Sequence, residues 1–236
     1  MQAVRVPPAQ IADLSVLPLR EVNAALHVQS VTPEIGHWRL VKPLGQHAIA
    51  CGLDAEIEVD IDGHVGYYCA GMNQRATVRI NGNAGVGLAE NMMSGTVIVR
   101  GDASQAAGAT GHGGLLVVEG NASARCGISM KGIDIVVGGS VGHMSAFMAQ
   151  AGNLVVLGDA GEALGDSIYE ARLFVRGSVK SLGADCVEKP MTTPLYAELG
   201  ELLERSGFGS IDPTSFRRYG SARRLYNFHV DNVGAY

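Results

Sequence analysis

Between about residue 57 and residue 190 one short phrase returns at a fixed interval. Gly63, Gly82, Gly101, Gly120, Gly139, Gly158 and Gly177 follow one another at spacings of 19 residues, and a constant period of this length is the signature of a repeat architecture. Two residues before each glycine stands a β-branched residue: Ile61, Ile80, Val99, Val118, Val137, Val156 or Val175. Four before it stand Val59, Val78, Val97, Leu116, Ile135, Leu154 and Leu173. Alternation at period two places one short strand with a constant inward face in every repeat.

The residues after the glycine complete the repeat. Two positions on come Val65, Ala84, Ala103, Ala122, Val141, Ala160 and Val179; seven on come Ala70, Ala89, Gly108, Gly127, Ala146, Gly165 and Ala184. Small inward residues predict a narrow interior. Directly after the glycine stand His64, Asn83, Asp102, Asn121, Ser140, Asp159 and Ser178, mostly types that hydrogen-bond their own backbone at a bend. Strand, glycine corner and small apolar residue together read as one coil of a parallel β-helix. No coil buries its apolar face alone, so stability accumulates by stacking. At strand spacing, about 4.7–4.9 Å, seven coils make a rod on the order of 33 Å long.

The chain has 236 residues, is 47% hydrophobic and carries a net charge of −5. That balance argues against general nucleic-acid affinity, and the repeat accounts for the 32 glycines. There is no apolar run near the roughly 18 residues a membrane span needs. Residues 1–20 lack the charged-then-apolar layout of a signal peptide, so a cytoplasmic chain is expected. Cys51, Cys69, Cys126 and Cys186 show no C-x-x-C spacing. Cys69 and Cys126 lie three coils apart, too far for a disulfide, and read as buried thiols.

The termini depart from the repeat. Leu19, Val22 and Leu26 sit near helical spacing after Pro18 and predict a short amphipathic helix; Pro33, Gly36, Pro43 and Gly45 then punctuate an irregular link. After Lys189-Pro190 the spacing of Leu195, Leu199, Leu202 and Leu203, with threonine ahead of Pro194 and Gly207 beyond the end, predicts a helix that closes the rod. The division expected is 1–50 N-terminal extension, 51–190 β-helix and 191–236 helix and docking tail.

Three residues before each glycine the outward position changes from Asp60 and Arg79 to Ile98, Val117, Val136, Val155 and Phe174. A contiguous apolar stripe marks a covered interface, covered either by the chain's own tail or by a partner subunit. The tail mixes Arg217, Arg218, Arg223 and Arg224 with Phe216, Tyr219, Tyr226, Phe228 and Tyr236, types enriched in protein interfaces. It lies on its own solenoid or docks on another chain.

Reactive constellations are thin. His27, His37, His47, His64, His112, His143 and His229 include no H-E-x-x-H. Gly82–Gly87 has the order G-x-x-G-x-G with no long helix after it, which is unlike a dinucleotide fingerprint. No catalytic, cofactor-binding or metal-ligating residue is assigned.

The run Val78–Gly87, followed by Val97–Ala103 and Leu116–Ala122, resembles the glycine-repeat domain that ends the large subunit of glutamate synthase. The resemblance covers a little over half of the chain and implies a right-handed parallel β-helix of about seven coils with short terminal helices, an all-β fold. It also implies a stand-alone β-helix subunit. The tail Phe216–Tyr226 and the preface Leu19–Leu26 resemble the small subunit of N-methylglutamate synthase. In that setting an amidotransferase-like chain and a chain holding FMN and an iron–sulfur cluster carry the chemistry, converting methylamine and glutamate to N-methylglutamate and ammonia, while the β-helix chain is scaffold in a hetero-oligomer. The alternatives are the corresponding subunit of formylmethanofuran dehydrogenase and a β-helix enzyme acting on polysaccharide.

Overall fold

The structure, a computed structural model, describes residues 9–28 and 36–222. It is a β-solenoid built on one sheet of eleven strands, nine of which stack in parallel and in chain order. These are β1 (Gln10–Asp13), β2 (His37–Val41), β3 (Glu58–Asp62), β4 (Thr77–Ile80), β5 (Thr96–Val99), β6 (Leu115–Val118), β7 (Lys131–Val137), β8 (Ala151–Val156) and β9 (Arg172–Val175). From β3 to β9 the register equals the sequence period: Val59 faces Val78, which faces Val97, and so on to Leu173. Both inward rows read from the sequence are completely buried, from Val59 and Ile61 through Leu173 and Val175.

Each corner glycine is required by proximity more than by backbone angle. Of the seven, only Gly63 has a positive φ. A Cβ on Gly82 would lie 2.5 Å from the carbonyl of Gly63, and one on Gly158 would lie 2.6 Å from Ser140 Oγ and 2.7 Å from Gly139. The corner amides explain that crowding. Gly101 donates to Gly82 O at 3.1 Å, and the series continues through Gly120, Gly139 and Gly158 to Gly177.

The polar residue after the glycine serves the neighbouring coil, not its own bend as expected. The amide of Asn83 donates to His64 Nδ1 (2.9 Å), that of Asp102 to Asn83 Oδ1 (3.0 Å), and that of Asn121 to Asp102 Oδ1 (2.7 Å). Ser140, Asp159 and Ser178 extend the ladder at 2.9, 2.9 and 2.7 Å. A side chain that closed its own turn would leave the next coil's amide without an acceptor, an outcome that buried or crowded backbone avoids.

The side of the coil opposite the strand turns by alternating handedness. Counting from the corner glycine, the fifth, seventh and ninth residues have positive φ in coil after coil: Tyr68, Ala70 and Met72, then Gly87, Ala89 and Asn91, then Ala106, Gly108 and Thr110. Arg125, Gly127 and Ser129 repeat the pattern, as do Met144, Ala146 and Met148. A left-handed non-glycine residue costs on the order of 1–2 kcal/mol, so the stacking must over-determine it. It does: the amide of Tyr68 donates to Val86 O one coil ahead, that of Ala89 to Cys69 O one coil behind, and that of Asn91 to Ala109 O ahead, all at 2.9 Å. At the seventh position the interior is also narrowest, and a Cβ on Gly108 would meet Ile135 Cδ1 at 2.5 Å.

β2 lies in the link expected to be irregular, and with β1 it extends the sheet two strands beyond the glycine ladder. The signal was weak because the strand register sets Lys42, with φ 52°, opposite Gly63, so that neither a glycine nor the 19-residue spacing marks this coil. The expected helix is present as α1 (Leu19–Val28), with Val22 and Leu26 buried. It closes the coil end with side chains: Asn23 Nδ2 donates to Ala48 O (2.8 Å) while its Oδ1 accepts from Ala50 N (3.0 Å), and His27 Nε2 lies 3.0 Å from Cys51 O. The Asn23 amide substitutes for the peptide group of a missing coil.

At the other end β10 (Cys186–Lys189) arrives early, and β11 (Arg217–Ser221) inserts antiparallel between it and β9. Between β10 and β11 lies α2 (Thr193–Arg205), the helix expected from the leucine spacing. Its N-cap is Thr192, which makes no side-chain capping bond, and Gly207 follows with φ 82°. α2 lies on the apolar stripe: Val136, Val155 and Phe174 form one buried cluster with Leu199, Leu202, Leu203 and Phe216. Of the two covers left open by the sequence, the chain's own C-terminal segment is the one present. Among the described residues no helix is long and apolar enough to cross a membrane.

Two outcomes follow. Leu203, fully buried on the inner face of α2, should on replacement by alanine cost roughly 2–5 kcal/mol in chemical denaturation, as for other buried leucines. The second concerns acid. The amide and hydroxyl of Ser178 hold Asp159 below the ordinary 3.8, Asn81 and Arg39 do so for Asp62, and Lys42 and Ser15 draw Asp13 down to about 2. A depressed carboxyl contributes stability that is complete above its unfolded value and is lost as pH falls through the folded one. Urea midpoints should therefore be level above about pH 5 and decline between 3.8 and about 2, with a shallower decline in Asp159→Asn.

Candidate interaction surfaces

The outward row of the sheet runs from Ile11 through Arg39, Asp60, Arg79, Ile98, Val117, Val136, Val155 and Phe174 to Arg218. Its apolar half is consumed. Val117, Val136, Val155 and Phe174 are buried, whereas Ile98 stays half-buried at the boundary. These four are therefore interior contacts of this chain and do not form a free docking surface.

The other half is charged and open. His37 Nε2 lies 2.6 Å from Asp60, Arg79 pairs with Glu58 (2.8 Å), and Arg39 Nε donates to Asp62 (2.6 Å). Asn81 Nδ2 then donates to Asp62 Oδ1 (2.8 Å), and Arg100 joins Asn81 and Glu119 at 3.2 Å each. Every carboxylate in this network has an arginine partner one coil away, so the face presents a solvated mosaic of paired charges. Exposed pairs of this kind contribute little individually.

A cleft of about 170 Å³ opens along the edge of α2. Arg205 reaches Asp134 (3.0 Å), Asn153 bridges Asp134 and Arg172 (2.7 and 2.9 Å), and Arg172 meets Glu198 (2.5 Å). The chain of pairs fastens the middle and the C-terminal end of the helix to β7, β8 and β9. Arg218, which lies half-buried beside Arg172, has its pKa lowered by burial and by that like charge, and its Nη1 donates to Pro190 O (3.4 Å). Arg217 is exposed and donates to Gly177 O (2.9 Å). Both sit in the sheet as part of β11. Arg223 and Arg224, named with them from the sequence, lie outside the described residues.

At the opposite end α1 and β1 enclose an apolar cleft of about 320 Å³ over Trp38, which sequence reasoning missed. Its signal was the single tryptophan of the chain, set in a segment with no repeat glycine.

The groups that could carry chemistry are occupied structurally. The amides of Asn83, Ala84, Gly85 and Gly87 all bond to adjacent coils, which leaves the glycine-rich loop none of the convergent donors a phosphate cradle needs. Cys69 and Cys126 are fully buried; burial pushes the Cys126 thiol up to about 12, that of Cys186 to about 11 and that of Cys69 further still. Cys51 Sγ donates to Tyr68 O at 2.6 Å and its thiol is also raised, by desolvation. All four are free thiols held away from the reactive thiolate form. Among the described residues no group of three or more His, Cys, Asp or Glu side chains is arranged to hold a metal.

No known family model matches the sequence, and no solved structure matches it. Protein GlxC of Rhizobium meliloti (strain 1021) is 60% identical over 227 residues, which span 96% of this chain and 99% of that protein. Identity at that level over nearly the whole of both chains includes the terminal segments as well as the repeat, and the chain belongs to the GlxC family.

Proposed function

We propose that the chain is a non-catalytic scaffold subunit of a glutamate-synthase-like multi-subunit enzyme. The observation that carries this reading is the use of the corner groups. Over seven coils the amides and polar side chains that could converge on a substrate are spent on joining one coil to the next. A rod stiffened this way fixes distances between whatever docks on it. The glycine-repeat resemblance supports the same class of assembly.

The finer reading is N-methylglutamate synthase, in which the assembled enzyme takes methylamine and glutamate to N-methylglutamate and ammonia. An amidotransferase-like chain and a chain carrying FMN and an iron–sulfur cluster supply the reactive groups, and all three work in the cytoplasm. Co-expression of the three chains tests this. They should purify as one complex, with flavin absorbance in the synthase chain and methylamine-dependent formation of N-methylglutamate that falls when the β-helix chain is omitted. Turnover of methylamine and glutamate by the β-helix chain alone would overturn the reading.

A further inference from the structure

On the side opposite the strand the rod presents an apolar surface of its own. In the coils that begin at Gly63 through Gly158 the sixth and seventh residues after the corner glycine are buried, and the fourth, fifth, eighth and ninth form the surface around them. After Gly63 these include Tyr67, Tyr68 and Met72, which are 50%, 49% and 54% exposed. After Gly139 they include Phe147, half-buried, and Met148, 40% exposed. Clustered apolar surface of this kind marks an interaction site, and aromatic residues and methionine are types that interfaces favour.

The two patches differ, and each supplies what the other lacks. Around Tyr68 and Met72 the surface is cut back to glycine at Gly71 and Gly87. A Cβ on Gly87 would lie 2.8 Å from the Tyr68 ring and 2.9 Å from Glu90 Oε2, so the notch over Gly87 has one aromatic wall and one carboxylate wall. In the other half of the rod the same two columns carry bulk: Phe147 stands at the eighth position, as Gly71 does, and Arg125 at the fifth, as Gly87 does. Arg125 is exposed and Glu90 half-buried, and among the described residues neither is ion-paired. Between the two halves lie the smaller Ala106 and Thr110.

We infer that this side is the interface of a homodimer, in which two copies pack face to face with their rods antiparallel. The two-fold axis lies in the interface, crosses the rod at a right angle and passes through the coil of Ala106 and Thr110, midway between the patches. Such an axis keeps every side chain in its column and reverses the order of the coils. Arg125 of one copy then enters the notch over Gly87 of the other, where it pairs with Glu90 and lies against the Tyr68 ring. Phe147 seats over Gly71, and Met148 meets Met72. Each contact occurs twice, as an isologous interface requires. Charge and shape select a second copy as the occupant, because the cation and the bulk that fit the glycine notches stand at the symmetry-related positions of this same surface. The inference goes beyond the scaffold reading and does not depend on which chains dock on the rod.

Analytical sedimentation of the full chain over a concentration series tests this. The unaltered protein should pass from monomer to dimer as concentration rises. Arg125→Glu and Glu90→Arg should each weaken the dimer by about tenfold or more, because like charges then meet in both notches. Both side chains lie at the surface, so each variant should melt like the unaltered chain. An equimolar mixture of the two single variants should dimerise again, since each notch of the mixed pair then holds opposite charges; a merely structural role for either residue would not give this rescue. Ile98→Asp, on the open sheet face, should dimerise normally. A chain that stays monomeric throughout the series overturns the inference. So does a dimer that neither charge variant weakens, which places the contact on another surface, and so does a mixture of the two variants that stays monomeric.

Discussion

From Gly101 onward the amide of each corner glycine donates to the carbonyl of the corner glycine one coil earlier, leaving no space for a Cβ between them. That stacked contact sets the repeat length, because a coil with one residue more or fewer would move every inward side chain out of its row. It also brings the residue after the glycine within reach of the next coil's amide, so His64, Asn83, Asp102, Asn121, Ser140, Asp159 and Ser178 form a continuous ladder. The same proximity sustains the left-handed residues on the opposite side, whose amides point alternately to the coil ahead and the coil behind. Strain that one coil could not hold is tolerated because the neighbours on both sides fix it.

A structure stabilised by neighbour contacts is vulnerable at its ends, and the two ends here are solved with different chemistry. α1 offers the first coil the Asn23 amide as a stand-in peptide group and sets His27 against Cys51 O. The C-terminal segment reverses direction, pushes a strand into the sheet and lays α2 across the outward apolar row. The charged half of that row needs no cover, since each ion pair there spans adjacent coils and is satisfied in water.

This arrangement leaves few groups free for reaction. Three of the four thiols are buried and all have raised pKa values, corner amides are spent, and the charges of the open face are paired. Rigidity over the length of the rod is the property that remains for use, and rigidity is what a subunit positioning two active chains relative to one another must supply.

Much of the architecture was legible in single residues. The glycine period, the two inward rows and the leucines of α2 follow from local rules, a Cβ that does not fit and periodicities of two and 3.6, and these determine strand, coil and helix without reference to the rest of the fold. The ends were less legible. β2 was hidden because Lys42 replaces the marker glycine and its spacing to β3 is longer than the repeat, and the cleft over Trp38 arises only when α1 folds back on β1. What covers Val136, Val155 and Phe174 could not be read from the stripe itself, since an apolar row needs a cover but does not name one. Only the tertiary path of the chain, returning α2 to that row and β11 to the sheet, decided that the cover is internal.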